Sequence, residues 1–188
     1  MSNSIADRHV VRRLLAEAGV HPSKRLGQSF LVDSGVIARI EQDVEQWPSG
    51  PVVEIGAGLG AVTEALLRSG RDVVAVETDR RLVRVLEAQF PDHPRLRIVA
   101  RDILSVDVAS LTGEEPSVVF GSLPYRITAP ILKWLVDQRD GLVAAALITQ
   151  REVAAKIAAS PGLDGSALGI LVQAYAEVDI VCGIGRRS

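Results

Sequence analysis

The sequence contains a single cysteine, no excess of positive charge and no long apolar run. Its one cysteine, Cys182, excludes an internal disulfide bond and a cysteine-rich metal site, which fits a reducing compartment. A formal net charge of −2 argues against a domain that coats nucleic acid through overall basicity, although it allows a local basic patch. No apolar run approaches the ~20 residues that a membrane helix needs, and residues 1–13 lack a signal-peptide core. These absences predict a cytoplasmic globular protein that makes no membrane contact.

Residues that bind metals or act as isolated nucleophiles are also sparse. The three histidines His9, His21 and His93 lack partners at metal-ligand spacing, so we predict no metal site and place them at the surface or in loops. Cys182 lies in an apolar segment typical of a strand, where it is expected to be a buried small hydrophobe. Trp134 is expected to be a packing residue on the helix that follows residues 122–125.

The chain is predicted to have two parts: residues 1–50 form an N-terminal helical and basic extension, and residues 51–188 form a cofactor-binding α/β domain. Apolar residues recur at helical spacing in the first part, where we predict helices over residues 5–18 and about 34–46.

From residue 51 onward, short apolar runs alternate with segments of helical periodicity. Strands that read as continuous apolar runs are buried on both faces, as they are in a parallel sheet covered by helices. Right-handed crossovers between such strands produce a doubly wound, Rossmann-like α/β fold. The predicted strands are 52–55, 72–77, 96–100, 118–121 and 142–149, and the predicted helices are 60–69, 79–90, 129–137 and 151–159.

A glycine-rich loop occupies residues 54–60, between the first predicted strand and the helix after it. Gly56 and Gly58 allow a tight turn and a close approach of a ligand to the backbone. Glu77 ends the second predicted strand about 20 residues later, where an acidic side chain can accept hydrogen bonds from ribose hydroxyls. The loop therefore predicts a nucleoside site; the alternative is a tight turn that binds no ligand.

Two further carboxylates distinguish between nucleoside ligands. Glu54 would crowd a pyrophosphate with negative charge but suits a ligand that carries an ammonium group. Asp102, just after the third predicted strand, can accept a hydrogen bond from an adenine amine; the alternative for Asp102 is a helix cap. With Glu77, these residues present three carboxylates to a cationic, phosphate-free nucleoside. We therefore predict S-adenosylmethionine as the cofactor, and Glu54 disfavours a nicotinamide oxidoreductase.

The loop Ser-Leu-Pro-Tyr at 122–125 follows the fourth predicted strand and faces the same crevice. An adenine amine is a poor nucleophile until hydrogen-bond acceptors localise its lone pair, and Ser122 Oγ and the Leu123 carbonyl are the predicted acceptors. Pro124 stiffens the loop, and Tyr125 offers a face on which an extruded base stacks. We predict that these four residues are catalytic and that Ser122 also borders the cofactor. The alternative is a proline-containing turn with a core tyrosine.

These motifs resemble those of the small-subunit rRNA adenine-N6,N6 dimethyltransferases, which are relatives of the macrolide-resistance rRNA methyltransferases. The resemblance runs from about Lys24 to the chain end and rests on residues 25–31, 54–60, 76–79, 101–103, 122–125 and 149–153. It implies transfer of methyl groups from S-adenosylmethionine to the exocyclic amine of adenine in small-subunit rRNA, with a small-subunit intermediate as partner. It also implies that Gln28 and Leu31 line the cofactor site.

The sequence departs from this family at two points. The family usually carries asparagine where this chain has Ser122, although serine occurs there in the wider amino-methyltransferase class. The family also continues with a last strand and a small helical domain, so the chain is expected to be truncated before them. Cofactor binding is expected to survive this truncation, whereas RNA methylation by the chain alone is expected to be weak or absent. A sixth strand is predicted at about 177–182, and without a seventh beside it residues 178–182 are expected to be poorly ordered, displaced toward the strand at 142–149, or paired with another molecule. A monomer is expected unless this open edge pairs.

Basic residues are concentrated near the N-terminus. They predict either a solvated helix face or a surface that contacts RNA phosphates. These residues are Arg8, Arg12, Arg13, Lys24 and Arg25.

Two other functions stay open. One is a macrolide-resistance-type methyltransferase that acts on large-subunit rRNA. The other is a non-catalytic RNA-binding assembly factor that keeps the cofactor fold, against which the intact loop at 122–125 argues.

Overall fold

The computed structural model describes residues 5, 7–20, 33–160 and 166–184. Its strands are β1 (Val52–Ile55), β2 (Val73–Val76), β3 (Leu96–Val99), β4 (Ser117–Ser122) and β5 (Leu142–Ile148). All neighbouring strands are parallel, and the sheet order is β3-β2-β1-β4-β5. The chain changes direction across the sheet between β1 and β4, which confirms the predicted doubly wound fold and places ligand sites at the carboxyl ends of these strands.

Helices connect these strands and precede the first one. In the part of the chain that the structure describes, none of them is long and apolar enough to cross a membrane. The helices are α1 (Arg8–Glu17), α2 (Ser34–Val44), α3 (Ala61–Arg68), α4 (Arg80–Gln89), α5 (Val108–Thr112), α6 (Tyr125–Asp137), α7 (Arg151–Ala158) and α8 (Ala167–Gln173).

Helices cover both faces of the sheet because the central strands are apolar on both faces. Every residue of β1 and β2 is buried, which explains why these strands show no alternation of apolar and polar residues. On one face, Ile40 and Val44 of α2 pack with Leu66 of α3 against the sheet. On the other face, Ile131 and Trp134 of α6 contribute to a second core cluster. Trp134 is therefore a core-packing residue carried by this helix, as predicted.

The helix α1 is attached to the glycine-loop region rather than to the sheet face. Val11, Leu14 and Leu15 form an apolar cluster with Leu59 of the glycine loop and Leu82 of α4. The opposite face of α1 is exposed. The first helix of the chain thus borders the end of the sheet where β1 runs into its loop.

Three helices differ from the prediction. The helix α6 begins at Tyr125, not at residue 129, because Pro124 has the extended backbone of an N-cap residue and the helix follows at once. The β-branched residues in its first turn, such as Thr128, lower intrinsic helix propensity, so the sequence does not indicate that the helix begins at Tyr125. Neither α5 nor α8 was predicted, since both are short and depend on packing for their stability.

The predicted sixth strand at 177–182 is wrong, because the structure assigns no strand to these residues. A strand needs a hydrogen-bonded neighbour, and in the described residues β5 pairs with β4 on one side only. Ile180 and Val181 are 57% and 67% exposed. Cys182 is exposed too, so its predicted burial is also wrong.

Candidate cofactor and acceptor site

The glycine loop leaves β1 through backbone conformations that favour glycine. Gly56, Gly58 and Gly60 have φ angles of 73°, 60° and 90°, all in the left-handed region. A Cβ atom built on Gly56 would meet no atom within 4 Å, so the loop backbone borders open space. A Cβ on Gly60 would lie 2.7 Å from the Phe90 ring. Gly56 therefore leaves room for a ligand, whereas Gly60 lets the loop pack against α4.

Glu77, the residue after β2, connects this loop to the neighbouring strand end. Its Oε2 accepts a hydrogen bond from the Gly58 backbone N–H at 3.0 Å. Its Oε1 accepts from the backbone N–H groups of Thr78 and Asp79, at 2.8 and 2.9 Å. A carboxylate has about four acceptor positions, so Oε2 keeps capacity for a further donor such as a ribose hydroxyl.

Glu54 is a buried carboxyl group, 2% exposed, on the α3 side of β1. The Thr63 hydroxyl donates to Glu54 Oε2 at 2.6 Å. Burial raises the pKa of Glu54 to about 7, the Thr63 hydrogen bond acts in the opposite direction, and the charge of Glu77 raises it further. The carboxyl group is therefore balanced between its neutral and ionised forms near neutral pH.

Asp102 occupies the turn after β3 and is exposed. Its Oδ1 accepts a hydrogen bond from the Leu104 backbone N–H at 3.0 Å and so caps the 3₁₀ helix Ile103–Ser105. The alternative interpretation of Asp102 as a helix cap is confirmed for this oxygen. No hydrogen bond from a described residue reaches Oδ2, so this oxygen keeps its acceptor capacity.

The acceptor loop begins where β4 ends. Ser122 is the last residue of β4 and is half-buried, and the Leu123 backbone N–H donates to the Ile148 carbonyl of β5 at 2.8 Å. Pro124 caps α6, and Tyr125 in its first turn is 64% exposed. The alternative prediction of a core tyrosine is therefore wrong, and the ring is accessible to a base.

One cavity brings several of the predicted residues together. Ser122 of β4 lines it opposite the glycine loop, and Ile5 and Val11 close it from the side of α1. The other predicted site residues do not line this cavity, but each lies just after the carboxyl end of β2, β3 or β4: Glu77, Asp102, Leu123, Pro124 and Tyr125. The predicted cofactor residues that line the cavity are Glu54, Gly56, Gly58 and Ser122.

The predicted basic surface is only partly described. Arg8, Arg12 and Arg13 lie on the exposed face of α1, and Arg13 is 3.9 Å from Glu17. Lys24 and Arg25 lie outside the described residues, as do Gln28 and Leu31.

A family model described as ribosomal RNA adenine dimethylase matches residues 8–187. The chain belongs to this family. Curated relatives named ribosomal RNA small subunit methyltransferase A include the proteins of Geobacter metallireducens, 42% identical over 164 residues, and Hahella chejuensis, 39% identical over 169 residues. The matches cover 85% and 89% of this chain but 60% and 62% of the relatives, so the chain spans about three fifths of their length.

Solved structures resemble this chain as well. The 23S rRNA methyltransferase ErmE is 34% identical with a TM-score of 0.60, and the match covers 68% of this chain and 50% of ErmE. A dimethyladenosine transferase from Plasmodium falciparum is 24% identical with a TM-score of 0.62, and the match covers 75% of this chain and 50% of the transferase chain. The second likeness supports the fold alone.

Sequence reasoning missed three residues around the candidate site: Thr63, Ile5 and Val11. Ile5 and Val11 occupy ordinary apolar positions of an amphipathic segment, so nothing distinguishes them before the cavity is seen. Thr63 offers one signal, because it is a hydroxyl residue within the apolar face of α3. In the part of the chain that is described, no group of three His, Cys, Asp or Glu side chains could hold a metal ion.

Proposed function

We propose that the chain binds S-adenosylmethionine between the glycine loop and β4 and that the protein methylates the exocyclic amine of adenine in small-subunit rRNA. The observation that carries this proposal is the cavity shared by Glu54, the glycine loop and Ser122, three residues before the exposed Tyr125. The family and the small-subunit methyltransferases that this chain resembles support the choice of substrate.

The residues around the cavity fit this cofactor. Open space beside Gly56 admits a nucleoside close to the backbone, and the Glu77 carboxylate can accept hydrogen bonds from ribose hydroxyls. The buried Glu54 suits the ammonium of the amino-acid moiety and repels a pyrophosphate. Asp102 accepts from the adenine amine, and Gln28 and Leu31 are proposed to complete this site. When bound, S-adenosylmethionine supplies a methyl group on a positively charged sulfur.

The acceptor loop prepares the substrate amine. Ser122 Oγ and the Leu123 carbonyl accept hydrogen bonds from its two N–H groups and draw the nitrogen toward tetrahedral geometry. Pro124 fixes the direction of the loop, and Tyr125 stacks on the extruded base. Catalysis of this kind depends on alignment of donor and acceptor, because the methylated amine loses its proton readily to water.

Arg8, Arg12 and Arg13 on the exposed face of α1 are proposed to contact RNA phosphates, together with Lys24 and Arg25. We further propose that the rRNA is presented in a small-subunit intermediate, that the protein acts in the cytoplasm, and that it is monomeric unless the free edge of β5 pairs.

Binding and methylation assays test the proposal. Calorimetry is expected to show binding of S-adenosylmethionine and no binding of NAD. With a protein of the relatives' full length, methyl incorporation from labelled cofactor is expected in unmethylated small ribosomal subunits and not in large ones. Labelling of large subunits alone would favour the macrolide-resistance type, to which the likeness to ErmE lends support. Cofactor binding with RNA binding but no labelling would favour an assembly factor.

A further inference from the structure

A hydrogen bond spans the glycine loop from one side to the other. Thr63 of α3, with a relative exposure of 0%, donates to Oε2 of Glu54 in β1 at 2.6 Å. The glycine loop is the segment of chain between these two residues. An unpaired hydroxyl or carboxyl group is costly in an apolar core, so this contact fixes both groups where the core is packed.

The charges that face Glu54 are few. Glu77 follows β2 and repels the ionised form of Glu54, and β4 presents no ionisable side chain between Ser117 and Ser122. On α3, Glu64 lies 3.1 Å from Arg68 and so belongs to a surface ion pair. The arginines of α1 are exposed to solvent. Among the described residues, no cation lies within salt-bridge distance of Glu54.

A buried carboxylate without a cationic side chain is matched by a positive charge from a ligand. We propose that Thr63 is a positioning residue for the ammonium group of the cofactor, because its hydroxyl holds Oε2 of Glu54 and leaves Oε1 as the acceptor. This inference rests on the proposed function.

Proton linkage makes the role of Thr63 measurable. The ammonium binds to ionised Glu54, whose pKa in the free protein is about 7. Affinity therefore falls as the pH drops through that pKa, by about tenfold per pH unit. On the basic side it falls again where the ligand's own α-amino group loses its proton, at roughly pH 7.7–8.0, and this second fall is common to all variants. Thr63 lowers this pKa, so removal of its hydroxyl moves the fall in affinity to higher pH.

The test is calorimetry of S-adenosylmethionine over about two pH units on either side of the Glu54 pKa, in buffers that differ in ionisation enthalpy. Methylthioadenosine, which lacks the ammonium group, serves as the comparison ligand. Thr63→Val is expected to lower the affinity for S-adenosylmethionine at neutral pH by about tenfold, to move the pH midpoint upward, and to leave methylthioadenosine binding nearly unchanged. Thr63→Ser is expected to restore the original profile.

Two further variants keep the test decisive. Thr112→Val removes a hydroxyl that bonds to the Val108 carbonyl in α5, away from the cavity, and is expected to change neither ligand's profile. Glu54→Gln keeps the volume and removes the titrating group, so the fall in affinity for S-adenosylmethionine on the acidic side of the Glu54 pKa is expected to disappear. If Thr63→Val does not fold, the pH dependence of binding in Glu54→Gln tests the inference.

An equal loss for both ligands with an unmoved pH midpoint in Thr63→Val would make Thr63 merely structural and overturn the inference. Persistence of the original pH slope in Glu54→Gln would overturn it too. Failure of the unsubstituted chain to bind S-adenosylmethionine at any pH would instead refute the proposed function. The two failures are therefore distinguishable.

Discussion

Glu77 carries hydrogen bonds from the glycine loop and from its own strand end, so its carboxylate is held before any ligand arrives. Glu77→Ala is expected to weaken S-adenosylmethionine binding by ~1.5–3 kcal/mol, the usual magnitude for a hydrogen bond to a charged group. Calorimetry at a pH above the Glu54 pKa measures this loss without interference from the titration of Glu54.

Glu77→Gln is the matched control for that substitution. The amide oxygen keeps an acceptor at the same place, so a smaller loss of affinity than in Glu77→Ala is expected. Equal affinity in Glu77→Ala and the unsubstituted chain would remove Glu77 from the cofactor site.

Tyr125 presents its ring to solvent at the start of α6, which suits a base that arrives from outside. Tyr125→Ala is expected to reduce methyl transfer by about tenfold or more, since stacking on an aromatic ring contributes ~1–3 kcal/mol per base. Cofactor affinity should stay nearly constant, because the exposed ring of Tyr125 is assigned to the base and not to the cofactor.

Tyr125→Phe is expected to retain most of the methyl transfer, since the ring face and not the hydroxyl supports the base. Single-turnover rates at saturating cofactor compare the variants. Weak cofactor binding with normal turnover at saturation would show that Tyr125 serves the cofactor instead.

At the scale of elements, the end of α2 depends on a single arginine. The Arg71 guanidinium donates hydrogen bonds of 2.7–3.2 Å to the carbonyls of Val44, Trp47, Pro48 and Gly50. Arg71→Met is expected to lower the free energy of unfolding by about 1–3 kcal/mol, because carbonyls at the helix end lose their donors.

Urea denaturation measures this change, and Arg84→Met on the exposed face of α4 is the control, with an expected effect within ~0.5 kcal/mol. Similar midpoints for both variants would show that the carbonyls find equivalent partners in water.

The strands could be predicted from sequence because burial on both faces leaves a mostly apolar run, which is uninterrupted in β2. The segment 177–182 has apolar residues on both sides of Asp179 but is not a strand, since apolar residues do not specify a neighbour with which to pair. The short α8 is the opposite case. It is specified by contacts with α7 and α6, which no local sequence pattern reveals.

Within the candidate site, sequence spacing located the cavity residues because glycine loops and strand ends carry local signals. Glu54 and Ser122 line the cavity, as the doubly wound topology requires. Thr63 could not be assigned, because its role depends on how α3 packs over β1. The sequence predicted Asp102 either as an acceptor for a ligand or as a helix cap, because a carboxylate at a turn can serve in both roles. The structure shows the cap.

At the scale of the whole molecule, β5 leaves one edge of the sheet free in the described part of the chain. It carries no charged residue from Leu142 to Ile148, and Val143 is exposed on it. Val143→Lys is expected to raise the protein concentration at which the chain associates, because a charge on an edge strand disfavours pairing with another chain.

Sedimentation velocity over a concentration series measures this, with Ile170→Lys on α8 as a control for the removal of exposed apolar surface. Equal effects of the two substitutions would point to general hydrophobic association. A chain that stays monomeric at every concentration would contradict the prediction.

The central position of β1 also has a consequence for the order in which the chain folds. Val52 pairs with Val73 on one side and with Val118 on the other. The strands paired in the β3-β2-β1 half are therefore much closer in sequence than β1 and β4 are. Close pairings form faster, and the N-terminal part of a chain leaves the ribosome first. We therefore expect the contact between the glycine loop and Glu77 to form on the nascent chain before β4 pairs with β1 and positions the acceptor loop.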